Sequence, residues 1–68
     1  MSHTVHVIGA GLLGTSVGLA LRQVGWTVSL SDTDHAAQRL AADLGAGNAG
    51  RPSVEPDLVV VAVPPSAF

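Results

Sequence analysis

The apolar residues change their spacing several times along the chain, and each change marks an element. Thr4–Ile8 (TVHVI) is short and rich in β-branched residues, which predicts a buried strand. From Leu12 the period lengthens. Leu13, Val17, Ala20, Leu21 and Val24 fall at i, i+4, i+7, i+8 and i+11, the apolar stripe of a helix, while Thr15, Ser16, Arg22 and Gln23 lie largely off it. Gly25 is placed to take a positive φ and end that helix. Val28 and Leu30 alternate within Thr27–Ser31 and predict a second strand. A second helix is expected from Asp34 to Leu44, with Thr33 or Asp34 able to cap it. Its buried face would be Ala37, Leu40, Ala41 and Leu44, and Gly45 and Gly47 would stop it. Residues 45–57 are turn-rich and predict no strand. Leu58–Val63 is a continuous apolar run, as expected for a parallel strand buried on both faces, and Pro64-Pro65 ends it.

Strand–helix–strand–helix–strand implies parallel strands joined by right-handed crossovers. The predicted class is therefore α/β, a Rossmann-like parallel sheet of βαβαβ order. Thr4–Ile8 would lie in the centre, with the second strand on one side and Leu58–Val63 on the other. The crevice at the carboxyl ends of the central pair is then a topological switch point, where open α/β sheets take ligands.

The residues at that crevice carry the candidate chemistry. Gly9-Ala10-Gly11-Leu12-Leu13-Gly14 closes the first strand and opens the first helix, and Asp32 follows Gly14 by eighteen positions at the end of the second strand. This spacing in this context is the dinucleotide-binding fingerprint. Gly9 would permit the tight turn, Gly11 the approach of a pyrophosphate, and Gly14 close packing of helix on sheet, which Gly18 would extend. The amides of Leu12 and Leu13 would remain unpaired at the positive end of the helix dipole and point at the anion. Asp32 would accept hydrogen bonds from the adenine-ribose hydroxyls and repel a 2′-phosphate. Thr33 and Asp34 follow it, where an NADP site more often shows arginine, so NAD is favoured over NADP. The candidate cofactor-binding residues are thus Gly9, Ala10, Gly11, Leu12, Leu13, Gly14, Asp32 and Thr33, with Val63 and Pro64 beside the nicotinamide half of the crevice.

Length and charge narrow the picture. An open sheet covered on both faces needs more strands than 68 residues supply, so residues 1–68 are expected to be the N-terminal part of a larger dinucleotide-binding domain. Below about 70–80 residues a core seldom supplies more than roughly 3–5 kcal/mol, and there is no cysteine here to add disulfides. Three arginines, no lysine and five acidic residues argue against a nucleic-acid or anionic-membrane surface. The run Leu58–Val63 is far short of the ~20 residues that span a bilayer. No signal peptide is evident, and a cytoplasmic protein fits. His3 reads as terminal and solvated, His6 as a strand residue and His35 as part of the first turn of an exposed helix. None shows a carboxylate or nucleophile partner or zinc spacing, so neither a catalytic nor a metal site is expected in the chain.

The segments VHVIGAGLLGTSVGLALRQVGWTVSLSD and DLVVVAVPPSAF together resemble the N-terminal end of prephenate/arogenate dehydrogenases. The resemblance rests on the fingerprint Gly9–Ser16, on Leu21-Arg22 near the helix end, on Asp32, and on the strand end Ala62–Pro65. It covers essentially the whole chain. Its motifs are highly specific for a Rossmann dehydrogenase and less so for this branch, because related 6-phosphogluconate-, ketopantoate- and pyrroline-carboxylate-type reductases share most of them. The resemblance implies that the complete protein oxidatively decarboxylates prephenate, or acts on arogenate, with NAD. Hydride would leave the ring carbon bearing the hydroxyl, and loss of CO2 would leave an aromatic ring. It also implies a catalytic histidine, a substrate-binding arginine and a helical, dimer-forming domain beyond residue 68, so that residues 1–68 are inactive alone. The alternatives are another NAD(P)-dependent oxidoreductase of the same group, an FAD-binding segment, or a non-catalytic nucleotide module. Flavoprotein segments typically end the second strand with glutamate and lack the V-P-P end.

Overall fold

The computed structural model describes residues 3–62. In chain order it forms strand β1 (Thr4–Ile8), helix α1 (Leu12–Gln23), strand β2 (Thr27–Ser31), helix α2 (His35–Asp43), strand β3 (Asn48–Ala49) and strand β4 (Leu58–Val61). The four strands make one sheet in the order β3-β2-β1-β4, and every pairing is parallel. The chain is thus a short Rossmann-like α/β sheet with β1 inside it, between β2 and β4. Val63, Pro64, Pro65 and the rest of the predicted strand end lie outside the described residues.

Alternation along β1 and β2 sorts their residues by face. Val5 pairs with Val28 and Val7 with Leu30. All four are fully buried on the face where Val17 and Leu21 of α1 and Ala41 of α2 complete the core. The opposite face is mixed, with His6, Ser29 and Ser31 beside the exposed apolar residues Ile8, Val59 and Val61. The expectation of a wholly buried first strand therefore holds for one face only, since Ile8 is exposed and Thr4 and His6 are half-buried.

Helix α1 buries only part of the predicted stripe. Gly14 and Gly18 are buried, with Val17 and Leu21 against the core, whereas Leu13, Ala20 and Val24 are exposed. The cause is steric. A Cβ at Gly18 would stand 2.5 Å from the Ala46 carbonyl oxygen, and one at Gly14 would overlap the Gly9 carbonyl oxygen. The helix approaches on its smallest residues, so the larger ones are rotated outward. Gly25 ends the turn after α1 at φ 92°, as its position predicted.

Helix α2 is held by Asp34, whose Oδ1 accepts from the amides of Ala36 and Ala37 at 3.0 and 3.2 Å. Of the two expected caps it is Asp34 that serves, with Thr33 outside the helix. Asp34→Ala should lower stability by about 1 kcal/mol, read as a shift in a denaturant melt, because two first-turn donors lose their acceptor. Ala41 is buried, but Leu40 and Leu44 are about 60% exposed, against expectation. On this side the sheet ends in a two-residue strand, β3, whose residues Asn48 and Ala49 are both exposed. That strand lies in the segment where none was predicted. Its two exposed residues show no periodicity to read.

Strand β4 also departs from expectation. It ends at Val61, and Leu58, Val59 and Val61 are each about half exposed. It is an edge strand paired only to β1 among the described residues, so an apolar run expected to be buried on both faces is covered on neither fully.

Candidate functional site

The carboxyl end of β1 turns sharply into α1, and the three glycines of that turn are constrained in three different ways. Gly9 has φ 101°, a conformation that favours glycine, and its amide donates to the Ser31 carbonyl at 2.8 Å. Gly14 is required by its contact with the Gly9 carbonyl. Gly11 is required by neither. It has φ −73° and ψ −161°, ordinary extended backbone, and a Cβ built on it would meet nothing within 4 Å.

Gly11 is the N-cap of α1 and offers no side chain to the first turn, which also holds no acidic residue. The first bond into the helix is from the Thr15 amide to the Gly11 carbonyl at 2.9 Å. Among the described residues the amides of Leu12 and Leu13 have no acceptor, and both residues are exposed. An open surface, unpaired N–H groups and the positive end of a 12-residue helix meet there.

Asp32 directly follows β2 and reaches across to this turn. Its Oδ2 accepts from the Ala10 amide at 2.7 Å, and its Oδ1 accepts from the Asp34 amide at 2.8 Å. The Asp34 bond first and the Ala10 bond second hold the carboxyl below the ordinary value of 3.8. Thr33 adds a smaller effect in the same direction, and desolvation opposes them. Asp32 is therefore a carboxylate at neutral pH. Its own amide donates to Gln38 Oε1 at 2.9 Å, which ties the turn to α2.

Beside Asp32 opens a cleft of about 660 Å³, bordered by Ile8, Ser31, Thr33, His35, Arg51 and Pro52 among others. Arg51 was not among the predicted site residues. It lies nineteen positions after Asp32 in the turn-rich segment, where no spacing links it to the fingerprint. The parallel crossover from β3 to β4 brings it to this cleft. Among the described residues it makes no ion pair.

The structure thus gathers Gly9, Ala10, Gly11, Leu12, Leu13, Gly14, Asp32 and Thr33 at one end of the sheet. Val63 and Pro64 lie outside the described residues. Two of the three histidines, His6 and His3, do have partners, contrary to expectation. His6 Nδ1 is 2.7 Å from Ser29 Oγ and its Nε2 is 3.0 Å from Ser31 Oγ. Ser29 Oγ also lies 3.4 Å from the Val5 carbonyl oxygen. Both ring nitrogens are engaged within the sheet. His3 lies against Trp26, ring centroids 4.9 Å apart, with Nδ1 4.0 Å from Asp57 Oδ2. These contacts depend on strand pairing across more than twenty positions, which a linear pattern does not display.

The chain is similar to a probable prephenate dehydrogenase, NovF, of Streptomyces niveus, with 52% identity over 62 residues. The match takes in 91% of this chain and 17% of that protein, so the chain spans about a sixth of the relative's length. The resemblance to prephenate dehydrogenase drawn from the residues is thereby shown. No protein-family model matches the chain, and no solved structure matches it at a significant level.

Proposed function

We propose that residues 1–68 are the N-terminal part of a Rossmann dinucleotide-binding domain and that the turn from β1 to α1, together with Asp32, binds NAD. One observation carries this reading. The fold accounts for Gly9 and Gly14 but not for Gly11, where a built Cβ meets nothing within 4 Å and which directly precedes the exposed residues Leu12 and Leu13, whose amides are unpaired among the described residues. A pyrophosphate approaching those amides would use that space. The half-exposed apolar edge of β4 supports the larger domain, because a further strand there would bury it.

The complete protein would be a dehydrogenase acting on prephenate or arogenate. The support is the similarity to a relative bearing the name prephenate dehydrogenase. When bound, NAD supplies the hydride acceptor. The work of this chain's own residues is to bind and orient. The α1 terminus neutralises pyrophosphate charge without lysine, and Asp32 accepts the ribose hydroxyls. No catalytic role falls to the described residues. A homodimer built through a following domain and a cytoplasmic location belong to the same proposal, on the resemblance alone.

Asp32 favours NAD because a carboxylate accepts from a 2′-hydroxyl and repels a 2′-phosphate. Arg51 on the same cleft gives the NADP reading one observation in its favour. In the intact protein, Asp32→Ala should weaken NAD about tenfold or more and NADP by less, since NAD loses a charge-assisted acceptor whereas NADP is relieved of a repulsion. Calorimetric titration with both cofactors decides this. Unchanged NAD affinity would count against the role of Asp32.

A further inference from the structure

The residue between the first two glycines is gripped at both of its backbone polar groups. Ala10 is only 3% exposed. Its amide donates to Asp32 Oδ2 at 2.7 Å, and its carbonyl accepts from Thr15 Oγ1 at 3.2 Å. Gly9 just before it donates to the Ser31 carbonyl, so two successive amides of the turn are fastened to the end of β2. Gly11 just after it is free in space on its open side. The grip therefore ends where the proposed anion contacts begin.

We propose that Asp32 and Thr15 are positioning residues that clamp Ala10 and so set the shape of the glycine turn before any ligand arrives. Asp32 would then serve pyrophosphate binding as well as ribose recognition. The two roles are compatible. A carboxylate has about four lone-pair sites, and the Ala10 and Asp34 bonds fall on different oxygens, so neither oxygen is saturated by them. The ligand-binding consequence rests on the dinucleotide reading, whereas the clamp itself rests on geometry alone.

The clamp makes a prediction opposite in sign to simple electrostatics. Asp32 is a negative charge beside a site for anions. If it contacts only ribose, its removal should leave inorganic pyrophosphate binding unchanged or tighter. If it holds the turn, its removal should weaken that binding, although the ligand has no ribose.

The test uses the intact protein with inorganic pyrophosphate as the probe, together with amide hydrogen exchange at Ala10 without ligand. In Asp32→Ala the Ala10 amide should exchange about tenfold faster, and pyrophosphate affinity should fall about three- to tenfold. In Asp32→Asn one oxygen remains for two donors, the Ala10 and Asp34 amides, so Ala10 exchange and pyrophosphate affinity should both fall between those of the native and Asp32→Ala proteins. Thr15→Val, which keeps the shape and removes the hydroxyl, should speed Ala10 exchange about threefold. If Asp32→Ala does not fold, the Thr15→Val and Asp32→Asn arms decide on the same readouts. Native exchange at Ala10 in the folded Asp32→Ala or Thr15→Val protein overturns the clamp. Tighter pyrophosphate binding in folded Asp32→Ala overturns its role in ligand binding. A native protein that binds neither pyrophosphate nor NAD contradicts the dinucleotide reading instead, and exchange at Ala10 still decides the clamp.

Discussion

Alanine at position 14 is expected to destabilise the fold by about 3 kcal/mol or more, the upper range for an added group in a close-packed site. The added carbon would overlap the carbonyl oxygen of Gly9, a backbone atom, and would press on Val7 Cγ1 at 3.4 Å. Neither side can yield cheaply. Gly9 is fixed at φ 101° and bonded to Ser31, and Val7 is fully buried between β2 and β4. Helix α1 would have to lift from the sheet, taking Val17 and Leu21 out of the core. A loss of this size approaches the roughly 3–5 kcal/mol that a core of this length supplies. Thermal melts of the intact protein should show this region unfolded or its midpoint strongly lowered. A native melting curve for Gly14→Ala would contradict the packing described.

Valine at position 11 should do the reverse, removing ligand binding while sparing the fold. Its φ and ψ are open to a β-branched residue, and no atom lies within 4 Å of the built Cβ. Valine is a poorer N-cap than glycine, so a stability change within about 1 kcal/mol is expected. The new side chain would occupy the approach to the Leu12 and Leu13 amides. Loss of two charge-assisted hydrogen bonds corresponds to a fall in NAD affinity of about a hundredfold or more. The contrast between positions 11 and 14 separates a glycine kept for a ligand from one kept for packing.

Much of this was legible in the residues because it depends on local rules. The β-branched runs, the helical stripes, Gly25 after α1 and the cap at Asp34 are decided within a few positions. The glycine spacing with Asp32 placed these residues together at one end of the sheet, and the structure brings them together there. What could not be read were facts of pairing and approach. The buried face of α1 was read only in part: Val17, Leu21 and the close approach at Gly14 and Gly18 are as expected, whereas hydrophobicity also marks Leu13 and Val24, which are exposed. The exposure of β4 follows from its edge position, which composition does not reveal. The bond from Ala10 to Asp32 and the presence of Arg51 beside the cleft arise from crossovers that bring distant positions together.

The central claim is that the open side of Gly11 is where a dinucleotide's pyrophosphate sits. Calorimetric titration of the intact protein with NAD, native and Gly11→Val side by side, tests it most directly. Saturable one-site binding by the native protein, lost in a Gly11→Val protein of unchanged fold, is the predicted result. Equal NAD binding by the two proteins would contradict the account.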